Sequence, residues 1–230
     1  MSQSGVIDTA MILAAGRGER MRPLTDTTPK PMLTVAGKPL IVWHLERLAA
    51  AGVKRVIINL AHLGDVIERA LADGHQFGLT ILYSHELDGA LETAGGIVKA
   101  LPLLGDAPFW LVNGDVWSDW SFAQTVTLAD HELAKLVLVT NPEHNPQGDF
   151  AMGKDGFLEQ KQASNSLTYA GIGVYSPRLF ADCVPGKAAL APLLKAQLNN
   201  RSIAAWHHQG QWCDVGTPQR LLELNQRVGA

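Results

Sequence analysis

Two cationic side chains follow a short apolar run near the amino terminus and sit among glycines and prolines. The run Met11–Ala15 is followed by Gly16, Gly18 and Arg20, and Lys30 stands between two prolines. Glycines let backbone N–H groups approach an anion closely, and flanking prolines reduce the entropy that an aimed ammonium group loses. These residues indicate a phosphate-binding loop after a buried strand, although a tight strand-to-helix loop without a ligand has the same glycine spacing.

Two carboxylates that lie far apart in the sequence would complete the chemistry of such a loop. Asp115 follows Asn113 at the end of an apolar run, and Asp214 lies between Trp212 and Gly216. Each alone fits a turn cap or a buried, hydrogen-bonded aspartate equally well. Carboxylate oxygens are ligands that Mg²⁺ prefers, and two carboxylates with two cations are what phosphoryl chemistry on a nucleoside triphosphate requires.

The composition bounds the class of protein. The 230 residues are 47% hydrophobic and 18% charged, with a net charge of -3, which is typical of a globular chain with no overall attraction to nucleic acid. Cys183 and Cys213 lie in no metal-binding spacing, so we expect reduced thiols in the cytoplasm. No apolar run approaches the length of about 20 residues that spans a membrane. We expect residues 1–9 to be a frayed extension or a cloning remnant, without a secretion signal, and residues 10–230 to form one domain.

Apolar runs and helical spacing alternate along the first 140 residues. Strands are predicted over Met11–Ala15, Val53–Leu60, Leu79–Ser84, Pro108–Val112 and Leu136–Thr140, and helices over Pro39–Ala51, Gly64–Ala72 and Gly95–Leu101, with Pro102 and Gly105 as helix breakers. The alternation predicts an α/β fold whose mostly parallel sheet has helices on both faces. The loops after the first and fourth strands would then share one rim, where ligands of such sheets bind.

The second part of the chain is less regular. A hairpin is predicted within Phe150–Leu158, because its Asp-Gly pair favours a turn with positive φ. Thr168–Tyr175 is predicted to be a strand, and its Gly171 suggests close approach of a ligand or of another backbone segment. Pro218–Val228 is predicted to be a closing helix with Thr217 as its N-cap.

Three motifs near the amino terminus carry a family resemblance. Leu13–Thr25, Pro29–Leu33 and Gly37–Leu40 are similar to the signature of the sugar-1-phosphate nucleotidyltransferases, and residues 113–115 and 212–217 resemble that family's two metal-binding segments. The resemblance implies a Rossmann-like nucleotide-diphospho-sugar transferase fold, without the C-terminal β-helix that some relatives carry. It also implies Mg²⁺ as the cofactor, held by the two aspartates named above.

The same resemblance implies which residues bind the substrates. Arg20 and Lys30 are the implied catalytic cations at the triphosphate, with Lys30 offsetting charge at the α-phosphate. Glu92 stands where the family has glycine in its base-binding turn, and a helix cap is its alternative role. Lys161 resembles a lysine that meets the sugar phosphate, and a solvated hairpin lysine is the alternative. The implied nucleotide-binding residues are Leu13, Ala14, Ala15, Gly16, Gly18, Glu19, Arg20, Lys30, Glu92 and Gly95, and the implied sugar-phosphate-binding residues are Asn113, Asp149, Lys161 and Gly171.

The order of the segments is most similar to that of uridylyltransferases that act on N-acetylmuramate α-1-phosphate in peptidoglycan recycling. This similarity implies transfer of UMP from UTP to the sugar phosphate. The expected partners are UTP, or another nucleoside triphosphate, and a sugar 1-phosphate, with no nucleic acid and no membrane, and the expected state is a monomer or weak homodimer. Transferases for glucose, mannose or heptose 1-phosphate with UTP, dTTP or GTP are alternatives, as is a non-catalytic nucleotide-sugar-binding regulator.

Overall fold

A computed structural model describes residues 7–87, 89–161 and 165–229 of the chain. Its strands are β1 (Thr9–Leu13), β2 (Thr34–Val35), β3 (Lys38–Pro39), β4 (Arg55–Leu60), β5 (Thr80–His85), β6 (Phe109–Asn113), β7 (Val116–Ser118), β8 (Ala134–Val139), β9 (Phe150–Met152), β10 (Leu158–Glu159), β11 (Ser166–Tyr175), β12 (Ile203–His208) and β13 (Trp212–Asp214). Its α-helices are α1 (Leu40–Ala50), α2 (Gly64–Leu71), α3 (Glu92–Leu104), α4 (Leu190–Ala196) and α5 (Pro218–Val228). In these described ranges, no helix has both the length and the apolar character needed to cross a membrane.

The main sheet of the described residues has nine strands, and six of the seven that form its central part run in the same direction. Their order across the sheet is β12, β8, β11, β6, β1, β4 and β5. Neighbouring strands are parallel throughout, except that β11 is antiparallel to both β6 and β8. β9 and β10 extend the sheet beside the first residues of β11. The prediction of a mostly parallel sheet is confirmed.

Helices cover both faces of this sheet. Successive side chains of a buried strand point to opposite faces, so an apolar strand makes both faces of the sheet apolar. Ile12 of β1 belongs to a core that includes Ile41 of α1 and residues of α2. Met11, its neighbour, belongs to the opposite core with Ile97 of α3 and Leu194 of α4. All four of these β1, α1 and α3 side chains are fully buried, and each such burial contributes about 1.5–3 kcal/mol to stability.

Parallel register places three strand ends side by side. Leu13 at the end of β1 is level with Asn59 of β4 on one side and with Asn113 of β6 on the other. The loops that follow these strands therefore leave the sheet at one rim, as the sequence predicted. The antiparallel pair β7–β13 adds Asp214 to this rim, because its register partner Val116 follows closely after β6.

Most element bounds differ from the predicted ones by one to three residues, and the differences at β1 and α3 are the informative ones. β1 begins at Thr9, and the Asp8 carbonyl accepts hydrogen bonds from the N–H groups of Lys54 and Arg55, so residues 8 and 9 belong to the fold rather than to an extension. Residues 1–6 of the predicted extension lie outside the described residues. Helix α3 begins at Glu92 instead of Gly95 and continues past Pro102, which was expected to break it.

The physical reason for the longer helix is the position of its proline. Pro102 lies in the last turn of α3, so its missing N–H removes one intrahelical hydrogen bond near the end of the helix, and only two helical residues follow it. Gly105, with φ +81, ends the helix, and its N–H donates to the Leu101 carbonyl. The other local predictions agree with the structure: the Asp-Gly turn joins β9 to β10, and the Thr217 hydroxyl accepts a hydrogen bond from the Arg220 N–H at the start of α5.

Candidate active site

A cavity of about 220 Å³ lies beyond the carboxyl ends of β1, β4 and β6, where parallel α/β sheets bind ligands. We call it the rim cavity. Six of the predicted nucleotide-binding residues line it, namely Leu13, Ala14, Ala15, Gly16, Lys30 and Glu92. Asn113 and Asp115, predicted to contact the sugar phosphate and the metal, line it as well. Residues from four separate stretches of the sequence thus meet at one place.

The loop after β1 presents its backbone to the rim cavity. Gly18 has φ +68, a conformation that favours glycine, and a Cβ at this position would lie 3.4 Å from the Lys30 side chain. A Cβ on Gly16 would have no other atom within 4 Å, so the space beside this residue is open. The Ala14 N–H donates to the Asn59 side-chain oxygen over 2.8 Å and anchors the start of the loop.

Arg20 and Glu19 line a neighbouring cavity of about 260 Å³, the loop cavity, together with Gly18, Lys30 and Gly216. Arg20 is exposed, and it has no hydrogen bond or ion pair with another residue of the described ranges. Lys30 lines both this cavity and the rim cavity. The two predicted catalytic cations therefore flank one path along which an anionic ligand can lie.

Among the rim-cavity residues that were not predicted, Asn59 and Glu86 form a buried pair. Both are 3% exposed, and the Asn59 side-chain N–H donates to Glu86 over 2.7 Å. The other Glu86 oxygen accepts a 2.7 Å hydrogen bond from the Leu91 N–H, just before α3. The pair therefore ties the glycine loop to the start of α3. In the sequence, each is a single polar residue in or just after an apolar strand, and this is the only feature from which either could have been predicted as a site residue.

Lys30 and Asp115 form the central ion pair of the site. The Lys30 ammonium donates to the Asp115 carboxylate over 2.5 Å, and its side chain is 10% exposed. The one-turn 3₁₀ helix Lys30–Met32 positions the lysine, and its stem packs beside Gly18. An ammonium group held beside a carboxylate in a nearly closed setting can neutralise phosphate charge with little reorganisation.

Asp214 lies next to Asp115, as the sequence predicted. The Val215 N–H donates to the Asp115 carbonyl over 2.8 Å, and both aspartates line a cavity of about 320 Å³, the carboxylate cavity. Asp214 also forms an ion pair with Arg220 and lies 3.2 Å from the His144 ring nitrogen. The two distant segments of the sequence thus converge at a single cavity.

The donor set of this cavity fits Mg²⁺. The described residues contain no group of three or more histidines, cysteines, aspartates and glutamates that could hold a metal ion. Mg²⁺, however, is usually held by one or two carboxylates plus substrate phosphates and water, rather than by an all-protein cage. Asp115 and Asp214 supply these two carboxylates next to the cationic path, so the residues present are consistent with a metal that arrives with the nucleotide.

A fourth cavity, of about 490 Å³, lies on the side of α4, and we call it the α4 cavity. Asn113, Asp149 and Lys161 line it, as predicted for the sugar-phosphate site. Asp149 accepts hydrogen bonds from the Tyr169 N–H and the Asn145 side chain, while the Lys161 ammonium donates to the Gly148 carbonyl over 3.0 Å.

Gly171 lies in the carboxylate cavity instead of the α4 cavity. It has φ +73 at the irregularity of β11, and a Cβ there would lie 2.7 Å from the Asn113 side-chain nitrogen. The group that approaches this glycine closely is therefore the Asn113 side chain, whereas the prediction named a ligand or another backbone segment. Asn113 lines the rim, α4 and carboxylate cavities alike, so it marks the point where all three meet.

Glu92 and Gly95 occupy different surroundings although both were assigned to nucleotide binding. Glu92 lines the rim cavity, with φ +60 where the similar family has glycine, and its carboxylate lies 3.6 Å from the Lys187 ammonium. Gly95 lies outside the rim cavity, where its N–H and that of Ala94 donate to the Ala188 carbonyl. A Cβ on Gly95 would collide with the Gly186 carbonyl, so the glycine at this position allows α3 to pack closely against the segment that contains Gly186.

Comparison with known proteins gives a consistent result along the whole chain. The profile of the Nucleotidyl transferase family matches residues 9–230. An N-acetylmuramate alpha-1-phosphate uridylyltransferase from Neisseria meningitidis serogroup B is 52% identical over 227 residues, covering 96% of this chain and 98% of the relative. One from Caulobacter vibrioides is 36% identical over 241 residues and covers 99% of both chains.

More distant relatives share the fold over most of the chain. The mannose-1-phosphate guanylyltransferase catalytic subunit beta of Drosophila melanogaster is 30% identical over 225 residues, which are 93% of this chain and 60% of the relative. The structure of the inositol-1-phosphate CTP transferase from T. maritima superposes with a TM-score of 0.75 at 17% identity and covers 99% of both chains. The chain therefore belongs to the nucleotidyl transferase family.

Proposed function

We propose that the protein transfers UMP from UTP to N-acetylmuramic acid 1-phosphate, yielding UDP-N-acetylmuramic acid and pyrophosphate. The observation that carries the reaction type is the meeting of three cavities at Asn113, beside Asp115 and Lys30. Two substrates bound in adjoining cavities have their reacting groups close together, which removes much of the entropic barrier. The choice of uracil and of N-acetylmuramate is supported by the two relatives of matching length that carry this name.

In the proposed reaction a phosphate oxygen of the sugar 1-phosphate attacks the α-phosphorus of UTP. The new P–O bond forms as the bond from the α-phosphorus to the β-phosphate oxygen breaks, and pyrophosphate leaves with that electron pair. The attacking oxygen is already anionic, so the protein need not remove a proton. Lys30 offsets charge at the α-phosphate and Arg20 binds the remaining phosphates, so these residues act by positioning and by charge neutralisation.

Asp115 and Asp214 are the residues that would hold Mg²⁺ in this proposal. The bound ion would neutralise charge on the phosphate oxygens. Before the nucleotide arrives, the two carboxylates are paired with Lys30, Arg220 and His144. Lys30 and Arg220 offset the carboxylate charges, and these contacts would rearrange when the ion binds with its phosphates.

The decisive experiment is a panel of UTP, dTTP, GTP and CTP against the 1-phosphates of N-acetylmuramate, glucose, mannose and a heptose. Pyrophosphate release is measured with Mg²⁺ and after its removal by EDTA. We expect the highest kcat/KM for UTP with N-acetylmuramic acid 1-phosphate, and no release without the metal. A higher value for another pair would identify a different transferase, and no release from any pair would favour a nucleotide-sugar-binding regulator.

The cellular setting follows from the proposed substrate. N-acetylmuramate is a cell-wall sugar, so we propose a role in peptidoglycan recycling in the cytoplasm, where the free thiols of Cys183 and Cys213 would stay reduced. We also propose a monomer or a weak homodimer in solution. Light scattering across a tenfold range of protein concentration measures this, and a constant dimer or larger mass would contradict the proposal.

A further inference from the structure

Lys195 of α4 is a cation on the wall of the α4 cavity that has no partner of its own. Its side chain is exposed, and it has no hydrogen bond or ion pair with any residue in the part of the chain that the structure describes. Apolar side chains surround it on the same wall. They are Ala189, Leu190, Ala191 and Leu194.

The other charged groups of this cavity already have partners. The Lys161 ammonium donates to the Gly148 carbonyl, and Asp149 accepts from the Tyr169 N–H and from an asparagine. Glu92 lies 3.6 Å from Lys187, which neutralises it. Among the described charged residues that line this cavity, Lys195 is therefore the one whose side chain is left without a protein partner.

The proposed acceptor carries the matching group. N-acetylmuramate differs from N-acetylglucosamine by a lactyl ether on O3, which adds one carboxylate and one methyl group to the sugar. A cation beside an apolar wall suits both parts, because the carboxylate gains a charge-assisted hydrogen bond and the methyl group leaves water. Apart from the reacting phosphate, glucose and mannose 1-phosphates have no anionic group that would pair with such a cation.

We infer that Lys195 binds the lactyl carboxylate of the acceptor and that this contact selects N-acetylmuramate over sugars without the acidic substituent. The inference rests on the proposed function. Lys195 lines neither the rim cavity nor the carboxylate cavity, so it contacts the sugar away from the reacting phosphate. Such a contact contributes equally to the ground state and the transition state, which changes KM more than kcat.

The test compares Lys195→Met with the wild type on two ligands, UDP-N-acetylmuramic acid and UDP-N-acetylglucosamine, by calorimetric titration. Methionine keeps the apolar stem and removes the charge. We expect the Kd for the lactyl-bearing ligand to rise about tenfold or more, while the Kd for the other ligand changes less than about twofold. Steady-state turnover should show the loss in KM for N-acetylmuramic acid 1-phosphate, with kcat close to that of the wild type.

Two further variants make the result specific. Lys195→Arg keeps the charge and should restore most of the discrimination, whereas Lys154→Met removes an exposed lysine in the β9–β10 turn and should change neither Kd. Equal loss of affinity for both ligands, or no loss for either, would overturn the inference. If the wild type instead does not use N-acetylmuramic acid 1-phosphate at all, the proposed function fails before any variant is compared, and the inference falls with it.

Discussion

Replacing Asp115 by asparagine tests the proposed metal site directly, because the amide keeps the shape of the side chain and removes its charge. In the structure the carboxylate accepts a 2.5 Å hydrogen bond from Lys30, whose side chain is 10% exposed, while that of Asp115 is 40% exposed. The variant therefore loses two things, a structural ion pair and a proposed metal ligand. The expected effects of these two losses differ greatly in size, so measurements on this one variant can distinguish them.

The structural loss is small. A hydrogen bond to a charged group contributes about 1.5–3 kcal/mol, and solvent screening at a carboxylate this exposed reduces the figure to about 1 kcal/mol. For a chain of this size that loss lowers Tm by about 2–4 °C. Loss of a metal ligand removes several kcal/mol of charge stabilisation in the transition state, and about 4 kcal/mol corresponds to about a 10³-fold lower kcat.

The assay is pyrophosphate release at increasing Mg²⁺ up to saturation, combined with thermal unfolding without the metal. Asp65→Asn is the matched control, because Asp65 also accepts a hydrogen bond from a cation, Arg69, at 2.7 Å but lies on the exposed face of α2. We expect the control to keep its turnover, and Asp115→Asn to lose its turnover while its Tm falls by only about 2–4 °C. An Asp115→Asn protein that stays folded and keeps its kcat within tenfold of the wild type at saturating Mg²⁺ would refute the metal assignment.

Three other substitutions probe the surroundings of this pair. Lys30→Met keeps the buried stem and should lower kcat about 10²–10³-fold in steady-state assays, because a preorganised donor to the phosphates is lost. Gly171→Ala places a methyl group 2.7 Å from the Asn113 nitrogen at φ +73, so chemical denaturation should show a loss of about 1–3 kcal/mol and turnover should show a raised KM for the sugar phosphate. Burial lowers the pKa of His44 from 6.5 to about 4, so the unfolded chain binds the proton more readily and stability should fall by about 3 kcal/mol from pH 6.5 to pH 4. His44→Gln should flatten that part of the stability–pH profile, and an unchanged slope in denaturation midpoints would contradict the assignment.

The convergence of Asp115 with the glycine loop could be predicted from the sequence because it follows from local patterns and one general rule. Apolar runs identify β1 and β6, and parallel strands bring their carboxyl ends to the same edge. The position of Asp214 could not be predicted from these patterns. Asp214 reaches the site through the antiparallel pairing of β7 with β13, and hydrophobic periodicity does not predict which strands pair. Its assignment came from the family motif.

Asn59 and Glu86 could not be identified in the same way. A polar residue at the end of an apolar strand is ordinary, and the hydrogen bond between the two depends on the register of β4 with β5, which sets which strand ends are level. The start of α3 was missed for a related reason. Glu92 adopts φ +60, which is uncommon for a residue other than glycine, so local propensity argues against a helix beginning there.

The same strained position suggests how the fold holds two substrates together. Glu92 lines both the rim cavity and the α4 cavity, as do Thr93 and Asn113, so the first turn of α3 and the end of β6 form the boundary between them. The Glu86 carboxylate ties that turn to the chain before it, and the contact of Gly171 with Asn113 limits the other side. Because neighbouring residues hold this boundary in place, we expect the proposed nucleotide and acceptor to meet at a preset distance, so that catalysis depends on charge neutralisation more than on movement of the protein.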